Sequence, residues 1–288
     1  MWMLFALLAA ASFGLRGILY HWSSQQPMNR ELMLFGVFSM GAACSLTVSL
    51  FMHQEWENEA LIGILMGMLS FAASAAMYQG FAVGKASLIA ILTGMPPVVV
   101  VLLAYLVWGE TLSPWQLSAF GVIVIAVILL RYSNDLSFKQ LKGVQWGFLA
   151  MMFFGLNDMT GKQSTLLEAP LLPTMFCMFA TGAVLFGAWW LLARKRSAGV
   201  RQSDPNAWGG TKTFFWGMVV GLTNTAGMVA ILTAFETGVT ALVSAVVALN
   251  VLVILGYTRL YTKEKFKRLE LAGIALSVLG MMVLRLFP

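Results

Sequence analysis

Charge is scarce in this 288-residue chain: Asp, Glu, Lys and Arg make up 10% of it, against 59% hydrophobic residues and a mean hydropathy of +0.82. A soluble globular chain is about a quarter charged. The composition therefore excludes a soluble enzyme of one or two ordinary domains, and equally a disordered chain. Cysteine is scarcer still, with two residues, too few for a disulfide-stapled secreted module. Cys44 and Cys177 lie in the apolar runs GAACSL and MFCMF, where a thiol packs as a small hydrophobe. Neither has a C-x-x-C partner or a neighbouring His, so no disulfide and no metal pair is expected. His21 and His53 are the two histidines, too separate for a metal centre. The chain lacks a Walker loop, a nucleophile–base set and a basic face for nucleic acid. We therefore expect no enzyme activity, no cofactor, no metal and no nucleic-acid partner. A basic n-region and a small-residue cleavage site are also missing, so the first apolar run is expected to be retained and not removed as a signal peptide.

What the chain has is long apolar runs. A span needs about 20 mostly apolar residues to cross hydrocarbon about 30 Å thick. Ten segments meet that length: 2–22, 32–52, 60–81, 86–108, 114–131, 144–162, 171–193, 213–235, 239–261 and 269–287. Continuous runs of this kind exclude a β-barrel, whose strands alternate over about ten residues. Backbone hydrogen bonding in lipid then leaves a helical bundle. The expected fold is an all-α polytopic membrane protein with ten transmembrane helices.

Sliding the chain by 154 residues superposes 63–131 on 217–285 without a gap and gives fourteen identities in 69 positions. The matching residue types matter more than that number. Gly63-x-x-x-Gly67 lands on Gly217-x-x-x-Gly221, Phe81 and Gly84 on Phe235 and Gly238, Glu110 on Glu264, and Arg131 on Arg285. An offset of 141 places Phe13-Gly14-Leu15 on Phe154-Gly155-Leu156. The chain is therefore expected to form two five-helix repeats, 1–132 and 143–288, in one integrated transmembrane domain. Five crossings are odd, so the second repeat starts from the opposite side and the two are inverted. In such folds the substrate site lies near the midplane between the repeats, and rocking of the repeats gives alternating access.

Gly94-Met95-Pro96-Pro97, followed by VVVVLLAYLVWGETLSPWQLSAFGVIVIAVILL, resembles the C-terminal signature of the EamA domain of the drug/metabolite transporter superfamily. The second half matches more loosely, with Asn250 in place of Pro96 and Lys263-Glu264 in place of Gly109-Glu110. Phe13-Gly14 and Phe154-Gly155 stand where the family usually has Trp-Gly. The resemblance implies a transporter whose cavity is walled by spans 1, 3, 4, 6, 8 and 9, with spans 5 and 10 peripheral.

Charge supplies an orientation. Loops 1–2, 3–4, 5–6, 7–8 and 9–10 hold fifteen of the 18 Lys and Arg, while loop 2–3, HQEWENE, is acidic or neutral. By the positive-inside rule those odd loops are cytoplasmic and both termini external. The family is more often drawn the other way round, and the charge asymmetry here outweighs that habit.

Ionisable residues deep in a span are costly and mark functional sites. Arg16 and Asp158 are the clear cases, with Arg16 aligned to Asn157. Each lies past its own midplane in opposite directions, which separates them by roughly 12 Å at 1.5 Å per residue. A direct salt bridge between them then requires helix tilt or a long reach by Arg16. The bland alternative holds Arg16 on carbonyls and Asp158 on Asn157 or another helix. Ser70 aligns with Asn224 and Pro96 with Asn250, all near mid-depth. Pro96-Pro97 frees at least one backbone carbonyl and bends span 4. Asn224 and Asn250 read equally well as cavity amides or as interhelical glue. Tyr78 offers a ring to a bound cation. Glu110 reads as a carboxylate at the positive end of a helix rather than as a catalytic acid, and the GxxxG pairs read as close helix packing.

The expected function is secondary transport of a small metabolite (an amino acid, an amine or similar) across a bacterial plasma (inner) membrane. Candidate substrate and coupling residues are Arg16, Ser70, Tyr78, Pro96, Asn157, Asp158, Asn224 and Asn250. Asp158 is the expected proton or ion site, and Arg16 a holder of an anionic group. The expected partners are the small-molecule substrate and the lipid bilayer, and the assembly is a monomer or homodimer. A flippase or exporter of a lipid-linked or amphipathic substrate, and a non-transporting membrane scaffold, remain open at this point.

Overall fold

A computed structural model of the chain describes residues 1–83, 86–131, 143–197, 207–262 and 267–286. Among the described residues every regular element is helical. The helices are α1 (Trp2–Ser24), α2 (Arg30–Phe51), α3 (Ile62–Val83), α4 (Ala86–Leu92), α5 (Pro96–Trp108), α6 (Pro114–Arg131), α7 (Val144–Leu166), α8 (Leu171–Ser197), α9 (Gly210–Thr237), α10 (Thr240–Val247), α11 (Asn250–Thr262) and α12 (Arg268–Leu286). They form ten crossings, because α4 with α5, and α10 with α11, each make one. Nine of these crossings are apolar enough to span lipid on composition alone. The tenth, α7, carries Asn157, Asp158, Lys162 and Gln163. It packs against α3, α4, α5, α9 and α10, which keep those polar groups away from hydrocarbon.

The inverted repeat is visible in which helices touch. α1 packs on α9 as α7 packs on α3, and α2 packs on α9 as α8 packs on α3. The pair α10–α11 rests on α1 as the pair α4–α5 rests on α7. α2 with α8, and α6 with α12, pair across the pseudo-two-fold axis.

Glycine sets the closeness of these contacts. A Cβ on Gly217 would lie 2.2 Å from the Met33 carbonyl oxygen of α2, and one on Gly63 would lie 2.1 Å from the Thr174 carbonyl oxygen of α8. The GxxxG pairs are thus the seams of α9 on α2 and of α3 on α8, where backbone meets backbone.

Spans 4 and 9, expected as single helices with only a bend in span 4, are each broken in two. In span 4, Pro96 and Pro97 cannot donate, and the Gly94 amide turns to the Ile91 oxygen at 2.9 Å. The Ala90 carbonyl loses its usual helical donor. Span 9 breaks without proline. The Leu249 amide bonds the Val246 oxygen at 3.1 Å, a tight 3-10 step, and α11 restarts at Asn250. The partner helix is fitted to each break by the repeated Phe-Gly pair. A Cβ on Gly14 would come 2.5 Å from Val253 Cβ, and one on Gly155 would come 2.7 Å from Val99 Cβ. Val253 and Val99 are repeat mates, so one device recurs in both halves.

Candidate functional site

Between the halves lies a cavity of about 1420 Å³ lined by all eight sequence-selected residues, Arg16, Ser70, Tyr78, Pro96, Asn157, Asp158, Asn224 and Asn250. Its walls come from α1, α3, α4–α5, α7, α9 and α10–α11, and also from α2 and α8 through Met33, Phe38, Met178 and Phe179. α12 contributes nothing among the described residues, while α6 contributes its last residue, Arg131.

The mouth lies at the end of the bundle where α1 and α3 finish and α2 begins. His21, Ser24, Arg30 and Phe81 line it there and are exposed. At the other end the floor is made of Met66, Leu232 and Phe235, each at most 1% exposed. Leu232 also lines a smaller pocket of about 260 Å³, with Ser164, Glu168 and Glu236, that opens at the far face. Among the described residues Leu232 is the one that lines both.

Polar contacts clamp the far end shut. Lys162 Nζ donates to the carbonyl oxygens of Phe235 at 2.5 Å and Gly238 at 3.3 Å. Glu110 Oε1 accepts the Thr240 amide at 2.9 Å and the Thr240 hydroxyl at 3.3 Å. Trp108 Nε1 donates to Gln163 Oε1 at 3.2 Å. Glu110 does sit at the positive end of a helix, but the helix is α10 of the other repeat and not the following α6. Its repeat mate Glu264 lies outside the described residues.

Inside the cavity, the repeat pairs find matching partners. Arg16 of α1 donates to Asn224 Oδ1 of α9, and Ser70 of α3 donates to Asn157 Oδ1 of α7 at 3.2 Å. Arg16 and Asn157 are repeat mates, as are Asn224 and Ser70, so these are one contact seen twice. The carbonyl partners considered for Arg16 give way to this amide. The Arg16 guanidinium also sits 4.5 Å from the Phe13 ring and 5.8 Å from the Tyr20 ring. Asp158 accepts the Ser244 hydroxyl of α10 at 2.5 Å, while its neighbour Asn157 is taken by Ser70. Tyr78 stands near the mouth, with Arg30 5.8 Å above its ring and Trp189 edge-on at 6.1 Å.

Several cavity residues escaped the sequence reading, among them Ser244, Arg30 and Arg131. Arg131, counted there as a loop charge, turns inward. Its Nη1 donates to the freed Ala90 oxygen at 2.7 Å and its Nη2 to Asn250 Oδ1 at 3.5 Å. It thereby ties the break in one half to the break in the other. Gly94 makes room for it, since a Cβ there would lie 2.6 Å from Arg131 Nε. The Arg131–Arg285 match was a signal of repetition only. Arg285 is exposed at the end of α12, and the alignment carried no sign that the two mates point differently.

A family model for the EamA-like transporter family matches residues 1–132 and 141–286. A solved structure titled only as the crystal structure of a protein is similar in fold at 12% identity and a TM-score of 0.77, covering 99% of this chain and 97% of that one. No curated protein matches the sequence.

Proposed function

This chain belongs to the EamA-like transporter family, and from that premise we propose that it is a secondary transporter of a small metabolite in the plasma (inner) membrane of a bacterium. The observation that carries this reading is the large cavity between inverted repeats, lined at one end by exposed residues and closed at the other by buried ones. A non-transporting scaffold has no need of such a cavity. The repeats rock about the midplane, and the Lys162 and Glu110 contacts part when the far end opens. Asp158 is the coupling site. It lines the cavity, and its single donor among the described residues leaves carboxylate capacity for a proton or a cation.

Proteoliposomes loaded with amino acids, amines, nucleosides or sugar phosphates test the reading. Labelled substrate of one class is expected to exchange across them and not across protein-free liposomes. Exchange of phospholipid between leaflets with no flux of any soluble class would favour a flippase.

The mouth lies on the side of the basic loops, so the positive-inside rule makes the conformation inward-facing, with both termini external. A reporter active only outside the cytoplasm, fused after Pro288, is expected to be active. An active cytoplasmic reporter at that position would reverse the orientation.

Lys162→Met is expected to unseal the far end. With Cys44 and Cys177 replaced by Ser, a cysteine placed at Leu232 should react several-fold faster with a membrane-impermeant maleimide added from the side of the termini. An unchanged rate would show that Lys162 does not hold the barrier.

A further inference from the structure

Within the transport reading, we propose that the cargo carries an oxyanion, a carboxylate or phosphate group, held between Arg131 and Arg16. Three arginines line the cavity from mouth to mid-depth, Arg30, Arg131 and Arg16, and among the described lining residues the one acid is Asp158. A cleft of one charge sign with low-dielectric walls concentrates ions of the opposite sign.

Hydrogen-bond supply points the same way. Each guanidinium carries five N–H donors and no acceptor. The protein acceptors on the two inner arginines are Asn224 Oδ1 for Arg16, and the Ala90 oxygen and Asn250 Oδ1 for Arg131. Arg131 Nε is buried and has no hydrogen-bond partner among the described residues, and it belongs to the fork that binds carboxylate and phosphate in a bidentate way. A buried donor left unsatisfied is costly, and an oxygen of a carboxylate or phosphate supplies the missing acceptor.

The repeat offers a control within the molecule. Where the halves agree, as at Gly14 and Gly155 or Gly63 and Gly217, the residues serve packing. Both inner arginines are places where the halves part, Arg16 by residue type and Arg131 by the direction of its side chain. The mate of Arg16 is Asn157, and the mate of Arg131 is the outward-facing Arg285. The mate of Gly94, which admits Arg131, is Ala248. The architecture therefore does not require two guanidinium groups in the cavity.

Thermal unfolding of the purified full chain, followed by tryptophan fluorescence, tests this with inorganic phosphate, glutarate and pentane-1,5-diamine against chloride at matched ionic strength. Phosphate also stabilises proteins by exclusion from their surface. The diagnostic quantity is therefore the midpoint rise in wild type minus the rise in Arg131→Gln. Wild type is expected to gain from phosphate or glutarate, and which of them acts separates a phosphate cargo from a carboxylate cargo. Arg131→Gln should lose most of the gain. Arg131→Lys, which keeps the charge and a donor toward Ala90, should keep part of it and covers the case in which the Gln variant does not fold. Gly94→Ala, which crowds Nε without removing charge, should also reduce it. An equal gain in wild type and variants, no gain over chloride, or a gain from the diamine alone overturns the proposal. A gain from the diamine with flux of that amine in proteoliposomes leaves the transport reading standing. Oxyanion binding without flux of any class leaves the site standing and removes the transport reading.

Discussion

Reconstituted Asp158→Asn protein is expected to transport at about a tenth of the wild-type rate or less, equivalent to at least 1.4 kcal/mol, and to lose the pH dependence of what remains. The substitution keeps the size of the side chain and an Oδ that can accept from Ser244, so the helix contact between α7 and α10 survives. What disappears is the ability to take up and release a proton or to balance a cation. A carboxylate inside a membrane bundle is retained only where it works or is paired, and Asp158 has one hydroxyl as its partner among the described residues. Ser244→Ala separates the two roles. It removes the hydrogen bond and leaves the titratable group, so pH dependence should persist with an altered profile. Normal transport with a normal pH profile in Asp158→Asn would show that coupling resides elsewhere.

The second large effect is on folding. Gly217→Val is expected to leave no monodisperse protein after extraction. The seam between α2 and α9 has no slack. The new Cβ would stand 2.2 Å from the Met33 carbonyl oxygen and 3.2 Å from Gly36 Cα, and both are backbone atoms that no rotamer change can move. Overpacking in cores costs about 1–3 kcal/mol when side chains can adjust. Here two helices must separate along their length, and the cost approaches a protein's whole margin of about 5–15 kcal/mol. Gly121→Ala in α6 is the matched control, because a Cβ there meets nothing within 4 Å. It should be neutral or stabilising by about 0.5–1 kcal/mol, the usual difference between Gly and Ala in a helix. A folded, active Gly217→Val protein would mean that this seam is looser than its geometry.

Much of the fold could be read along the chain, because in lipid one local property settles the topology. Length and apolarity locate the crossings, since any span must satisfy its own backbone. The ten segments from 2–22 to 269–287 accordingly fall on the observed helices, with ends shifted by a few residues. α7 was read as a span with the rest, although its polar half is tolerated only once α3, α4, α5, α9 and α10 cover it. The break in span 4 was half legible, as Pro96-Pro97 dictates a bend. The break in span 9 was not, because Asn250 carries no such constraint and its side chain is engaged by Arg131, 119 residues away in sequence.

The amino-acid sequence by itself determined the all-helical class, the crossings, the two-fold repetition and the short set of polar residues that lipid should have excluded. These depend on solvation and covalent order, which act locally. The tertiary structure alone decided which polar residues meet, Arg16 with Asn224 and Asp158 with Ser244, which end of the cavity is sealed, and that Arg131 faces inward while Arg285 faces outward. Pairwise contacts between distant segments depend on helix rotation and tilt to within an ångström or two. The apolar majority of the sequence says almost nothing about either.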